Sequence, residues 1–172
     1  MKAKPFFTTL IMILVLGASF AQDSPRKVQR EKSILEREHQ TEMLLNSREF
    51  VFIASRALPQ RGGSIDLTTN PNYLKFHPDR IESYMPFFGR AYRADYGGDG
   101  GIKFEGKPKE FKIVTRKKGK GYEINTAVSG SRDYFQLNLL VSPEGSATLT
   151  ITSNDRSSIS YYGEIKKPEE TK

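Results

Sequence analysis

The sequence predicts a mainly β fold, an antiparallel meander forming an open barrel or a sandwich, with one N-terminal helix. Three observations predict it. Turn signals recur about every 12 residues through the C-terminal half, the spacing a chain of hairpins needs. Between them apolar and polar residues alternate with period two. Before them runs a charged segment without that alternation, opened by Ser24-Pro25, where proline suits the first turn of a helix.

The elements follow in order. Residues 1–21 form a signal peptide: Lys2 and Lys4, then the apolar stretch Phe6 to Leu16, then Ser19 and Ala21 before a cut that leaves Gln22 first. The stretch is shorter than the ~20 residues a spanning helix wants, and no Cys at the cut can carry a lipid. Residues 22–48 form the charged helix, with Glu31, Leu35, His39 and Met43 in one i, i+4 row beside Ile34 and Leu45. Residues 49–166 form the β domain, in eight or nine strands, and 167–172 a polar tail.

Within the β domain, Phe50 to Ser55 reads as a strand covered on both faces, and Ser64 to Thr68 and Tyr73 to Phe76 as two more. His77-Pro78-Asp79 turns the chain. Further on, Tyr122, Ile124, Thr126 and Val128 share one face, as do Phe135, Leu137, Leu139 and Val141. Ala147, Leu149 and Ile151 repeat the pattern against outward threonines, and Ile159, Tyr161, Gly163 and Ile165 finish it. One packed and one wet face is the antiparallel habit.

Composition excludes more chemistry than it supplies. The 172 residues contain no Cys, no Trp and two His, so disulfides, thiolate nucleophiles and cysteine-based metal sites are excluded. No HExxH or GxSxG occurs, and neither histidine sits in a nucleophile-and-carboxylate pattern. Neither a cofactor nor a metal is expected. Export without cysteine points to a periplasmic or extracellular place in a bacterial envelope.

Three segments invite function. Ser83 to Tyr92 packs four aromatics, a Pro and a Gly into ten residues. Pro86 must interrupt the ladder. Tyr84, Phe87, Phe88 and Tyr92 then either line an apolar groove with Arg90 at its mouth or fill the core around a kink. Asp95 to Gly101 holds four glycines but leads into a strand, unlike a phosphate loop, and reads as a flexible loop. Residues 103–120 read as a basic hairpin, eight basic residues against two acidic. There Lys112, Arg116 and Lys118 share a face that could meet an anionic surface or merely protect a sheet edge. Without aromatics on that face, nucleic acid is not an expected partner.

The stretch Ser83 to Tyr92 and the ending Asn154 to Gly163 resemble the domain-of-unknown-function family 4251, exported proteins of Bacteroidetes. That family has an LPYFGRAY-like core, a Gly-rich loop after it and a closing SxSYxG strand. Here Met85 stands for the usual Leu, and Phe88 continues the aromatic pair. The resemblance covers about residues 45 to 166 and implies one exported envelope domain. It implies no activity, and no catalytic residue carries over.

The expected function is a non-catalytic module binding a small apolar or anionic ligand or an envelope component. The alternatives are a hydrolase of an envelope polysaccharide using Asp79 or Glu82, or a structural module docked through residues 103–120.

Overall fold

A computed structural model describes residues 25–93, 100–117, 121–131 and 133–169. The signal-peptide residues, Lys118 and Asp95 to Asp99 lie outside the described residues. The chain divides after Leu35: Glu36 onward forms one compact unit, and the residues up to Leu35 belong to another.

Helix α1 runs Pro25–Ser47. Ser47 Oγ donates to the Leu44 carbonyl at 2.8 Å and accepts from the Glu49 amide at 3.1 Å. Arg48, at φ 56°, supplies the left-handed step that ends the helix. Its inward row is not the expected one. Thr41 and Leu45 are buried, whereas His39 is exposed and Met43 is 59% exposed. The i, i+4 row through Met43 is therefore a wet face, because Leu45 anchors the turn and sets the helix's rotation.

The strands are β1 (Phe50–Pro59), β2 (Ile65–Asp66), β3 (Tyr73–Phe76), β4 (Ile81–Met85) and β5 (Ile102–Gly106). They continue as β6 (Pro108–Thr115), β7 (Tyr122–Ser129), β8 (Tyr134–Val141), β9 (Ser146–Ser153) and β10 (Ile159–Lys166). All ladders are antiparallel, in the order β5-β4-β3-β1-β10-β9-β8-β7-β6, with β2 paired to β1. This is one sheet curled into a nearly closed barrel rather than two sheets of a sandwich.

The inward faces are those the alternation predicts. Ile124, Val128, Leu137, Leu139, Leu149, Ile151, Ile159 and Tyr161 are buried together with Phe50, Phe52, Leu74, Phe76 and Ile81. Aromatic contacts draw the two sheet edges together: Phe104 of β5 stacks 4.5 Å from Phe135 of β8, and Phe76 of β3 meets Phe111 of β6 edge-on at 6.1 Å.

Three expectations need correction. β1 is not covered on both faces, since Ile53 and Ser55 are exposed outside. Ser64 to Thr68 contributes only the two residues of β2; the Asp66 carboxylate bonds the Thr68 backbone and hydroxyl and turns the chain away. Residues 103–120 are not a hairpin. β5 pairs with β4 and β6 with β7, so these consecutive strands form opposite edges of the sheet. Lys107 alone separates β5 from β6, and one residue is too short a link to fold the two strands back on each other as a hairpin.

Candidate functional site: a cleft beside Phe88 and Arg90

Met85 is buried and pairs with Ile102 in the last rung of the β4–β5 ladder. Pro86 has no N–H to continue it, and its carbonyl accepts a 2.8 Å hydrogen bond from the buried Tyr161 hydroxyl. Burial pushes the Tyr161 phenol up, which keeps it a donor. The chain then leaves the sheet. Phe87 and Phe88 are half-buried against the rim of the core.

Beyond Gly89 the backbone is strapped to the β9–β10 turn. The Arg90 amide donates to Ser157 Oγ at 3.2 Å, and the Ser157 amide to the Arg90 carbonyl at 2.9 Å. The Tyr92 amide donates to the Asp155 carbonyl at 2.7 Å, and Ala91 forms an isolated antiparallel bridge with Arg156. The Arg156 guanidinium lies 5.2 Å over the Phe87 ring and donates to the Gly100 carbonyl. A Cβ at Gly89 would sit 2.6 Å from both Phe87 Cζ and Ser157 Oγ, so any larger residue would have to displace the Phe87 ring and the Ser157 hydroxyl that holds the strap. The two stretches that carry the family resemblance thus meet in space.

Between this strap and the Pro59–Ile65 loop lies a cleft of about 640 Å³. Of the sequence-predicted ligand residues, Phe88, Arg90 and Tyr92 line it. Tyr92 is 69% exposed at its edge. Tyr84 and Phe87 do not line it. Tyr84 lies on the outer face of β4, 38% exposed, stacked 5.7 Å from Tyr73 with Lys103 Nζ 4.3 Å from its ring centre. Phe87 lies beneath Arg156. Arg61, Ile65 and Ser157 belong to the site and were not expected. Arg61 and Ser157 come from turns, whose lack of periodicity hides which residues face a common space, and Ile65 opens the two-residue strand β2, too short for alternation to assign its face. Two arginines and no carboxylate stand among its described lining residues.

The remaining candidates are dispersed. Lys112 lines an outer groove with Asn125 and Asn138, while Arg116 lies at another groove with Ser142 and Tyr162. Between their rows stands Glu123, paired across from Val114. Hydrogen bonds from Asn125 and Asn138 hold its carboxyl below the ordinary range. The expected basic stripe is thus interrupted by a carboxylate. Asp79 is exposed in the β3–β4 turn, and Glu82 accepts a 2.5 Å hydrogen bond from Tyr73 on the outer sheet face. Neither lines the cleft. Among the described residues no group of three or more His, Asp and Glu side chains could hold a metal ion, and no helix is long and apolar enough to cross a membrane.

Comparison with curated proteins gives no match. A crystal structure of a DUF4251 family protein from Bacteroides eggerthii DSM 20697 is similar, with a TM-score of 0.60 and 21% identity. The likeness covers 77% of this chain and 88% of that one, and at this identity it shows the fold alone. The sequence model of the family described as "Domain of unknown function (DUF4251)" matches residues 32–165, reaching further into α1 than the motifs themselves. The strapped cleft segment and the curled sheet behind it are therefore parts of one family domain, and the chain belongs to the DUF4251 family.

Proposed function

We propose that the protein is a non-catalytic binding module of a bacterial envelope, exported by the signal sequence in residues 1–21 and taking an anionic ligand in the cleft beside Phe88 and Arg90. The observation that carries this is the lining: Arg61 and Arg90 with no described carboxylate, beside the ring of Phe88 and the apolar Ile65. Guanidinium groups recognise planar or tetrahedral oxyanions through several N–H donors at once. The aromatic wall suits a flat or apolar portion of the same molecule. Ser157 and the Tyr161–Pro86 bond hold that wall in place.

The hydrolase alternative has no support from the cleft, because Asp79 and Glu82 both lie elsewhere. Docking through residues 103–120 loses the continuous stripe it needed.

Titration by NMR with three probes tests the proposal: inorganic phosphate, phenol, and phenyl phosphate, which joins the two. Phenyl phosphate is expected to shift the amides of Gly62, Gly63 and Tyr92 saturably and to bind tighter than either part. Arg61→Gln and Arg90→Gln should each weaken it about tenfold or more, the worth of one charged hydrogen-bonding group. Phenyl phosphate binding no tighter than phenol, or indifferent to both substitutions, would overturn it.

A further inference from the structure

A second groove, of about 530 Å³, lies on the outer faces of β6 to β9 and shares no lining residue with the cleft. Its floor is two rows of side chains set by register. One row runs Lys109, Ala127, Gln136, Thr152 across four strands; the other runs Lys112, Asn125, Asn138, Thr150. Three strand spacings make each row about 14 Å long.

The rows part at β6. There the register slips between Lys109 and Lys112, and Glu110 takes φ 50°, a strained left-handed position for a non-glycine residue. The buried Thr126 donates to the Lys109 carbonyl at 3.1 Å and holds this bulge. Small Ala127 leaves the space between Lys109 and Gln136 open.

The amides are oriented before any ligand arrives. Asn138 Nδ2 donates to Glu123 Oε1 at 2.9 Å and to Asn125 Oδ1 at 2.7 Å, and Asn125 Nδ2 donates to Glu123 Oε1 at 3.0 Å. That leaves Asn138 Oδ1 as an acceptor, one Asn125 N–H as a donor, and the Gln136 amide to offer both. Thr150 shares a 2.9 Å hydrogen bond with Ser160, which fixes its hydroxyl. On the wall stands the half-buried ring of Tyr134, with Lys109 Nζ 5.3 Å from its centre.

Donors and acceptors held in place on Asn125, Asn138 and Thr150, with the exposed Gln136 amide beside them and an aromatic ring on the wall, match the vicinal hydroxyls and C–H face of a pyranose ring. Lys109 and Lys112, at the same end of the two rows, outnumber Glu110, which is the one carboxylate among the described lining residues, and add positive charge where a ring carboxylate would lie. We infer that this groove binds a short saccharide carrying a carboxylate, a uronate-containing oligosaccharide of two or three rings. The inference stands independently of the cleft, whose amides report separately.

Trigalacturonate and the neutral galactotriose are the probes, followed by amide shifts in the whole mature chain. Trigalacturonate should shift Asn125, Gln136, Asn138 and Thr150 saturably and leave Gly62 and Gly63 unmoved, while galactotriose binds about tenfold more weakly. Gln136→Leu and Lys112→Ala, both at exposed positions, should each weaken trigalacturonate about tenfold with the spectrum otherwise preserved. No saturable shift at the groove, equal binding of the neutral sugar, or insensitivity to both substitutions would overturn the inference. Shifts confined to Gly62, Gly63 and Tyr92 would also overturn it while leaving the cleft proposal standing.

Discussion

The Tyr73 phenol carries a proton held by a neighbour. Its hydroxyl donates to Glu82 Oε1 at 2.5 Å, and this bond, with some burial behind it, pushes the pKa up to about 12. Ionising the phenol would set two anions against each other. The sign of the linkage follows. Because the folded value lies above the ordinary one near 10, the contribution to stability is present below pH 10 and is lost as pH rises from there through about 12. Glu82→Gln removes the carboxylate, so the tyrosinate absorbance of Tyr73, identified by difference with Tyr73→Phe, should return toward 10. If Tyr73 titrates unchanged in Glu82→Gln, the bond is not the cause. At this scale the sequence showed less than it seemed to. In β4, which reaches Met85, strict alternation puts Ser83 and Met85 inside and Tyr84 outside, away from the cleft. Phe87 and Phe88 lie past Pro86, where alternation no longer assigns faces. There the contacts decide: Arg156 covers Phe87, and Phe88 meets the cleft.

At the scale of elements, β1 is the strand that joins everything, and its middle is the least regular part. Its partner on one side changes from β3, opposite Phe50 to Phe52, to β2, opposite Arg56 and Ala57. Between the two, the buried Asn72 amide substitutes for a strand: Oδ1 accepts from the Ala54 amide at 2.7 Å, and Nδ2 donates to the Ala54 carbonyl at 3.0 Å. On the other side the ladder with β10 slips between Ala54 and Arg56. Gly163 faces this slip so closely that a Cβ would lie 2.0 Å from the Ile53 carbonyl oxygen and 2.8 Å from Ala54 Cα. Backbone cannot move aside as a side-chain tip can. Gly163→Ala should therefore cost about 3 kcal/mol in urea unfolding, against the small gain alanine would bring in an unconstrained strand. A neutral or stabilised variant would show that β1 and β10 are not this close. The C-terminal meander was legible because each hairpin is local and its period is unbroken. The β1–β10 pairing joins residues a hundred or more positions apart, as Val51 with Lys166, and no local pattern encodes it. Residues 103–120 look like one hairpin in sequence for the same reason: two edge strands and one hairpin have the same alternation, and only pairing separates them.

For the unit from Glu36 onward, that pairing predicts where stability lies. β1 and β10 stand in the middle of the strand order, with a neighbour on each side, and β10 adjoins the unbroken β7–β9 meander. β5 and β6 end the order, each paired on one side only. Between them the curled sheet is held by ring contacts, Phe104 on Phe135 and Phe76 on Phe111, and not by a ladder. β6 is also the wetter strand: Val114 is 53% exposed, and Lys109, Glu110 and Lys112 are exposed. Lysines along such an edge deter pairing with a second molecule. Local opening should follow the same gradient, since amides bonded within two ladders open only with the whole sheet and edge amides open alone. Hydrogen exchange should accordingly find the slowest amides in β1, β10 and β9, with β6 and β5 exchanging orders of magnitude faster. Phe104→Ala should speed β5 further, because losing a buried aromatic costs about 3–5 kcal/mol and this one secures the edge to the opposite wall. It should leave the β9–β10 ladder as slow, relative to global unfolding, as before. If β6 proves as protected as β10, its free edge is bonded in solution, and the barrel is closed or the edge is occupied by another chain.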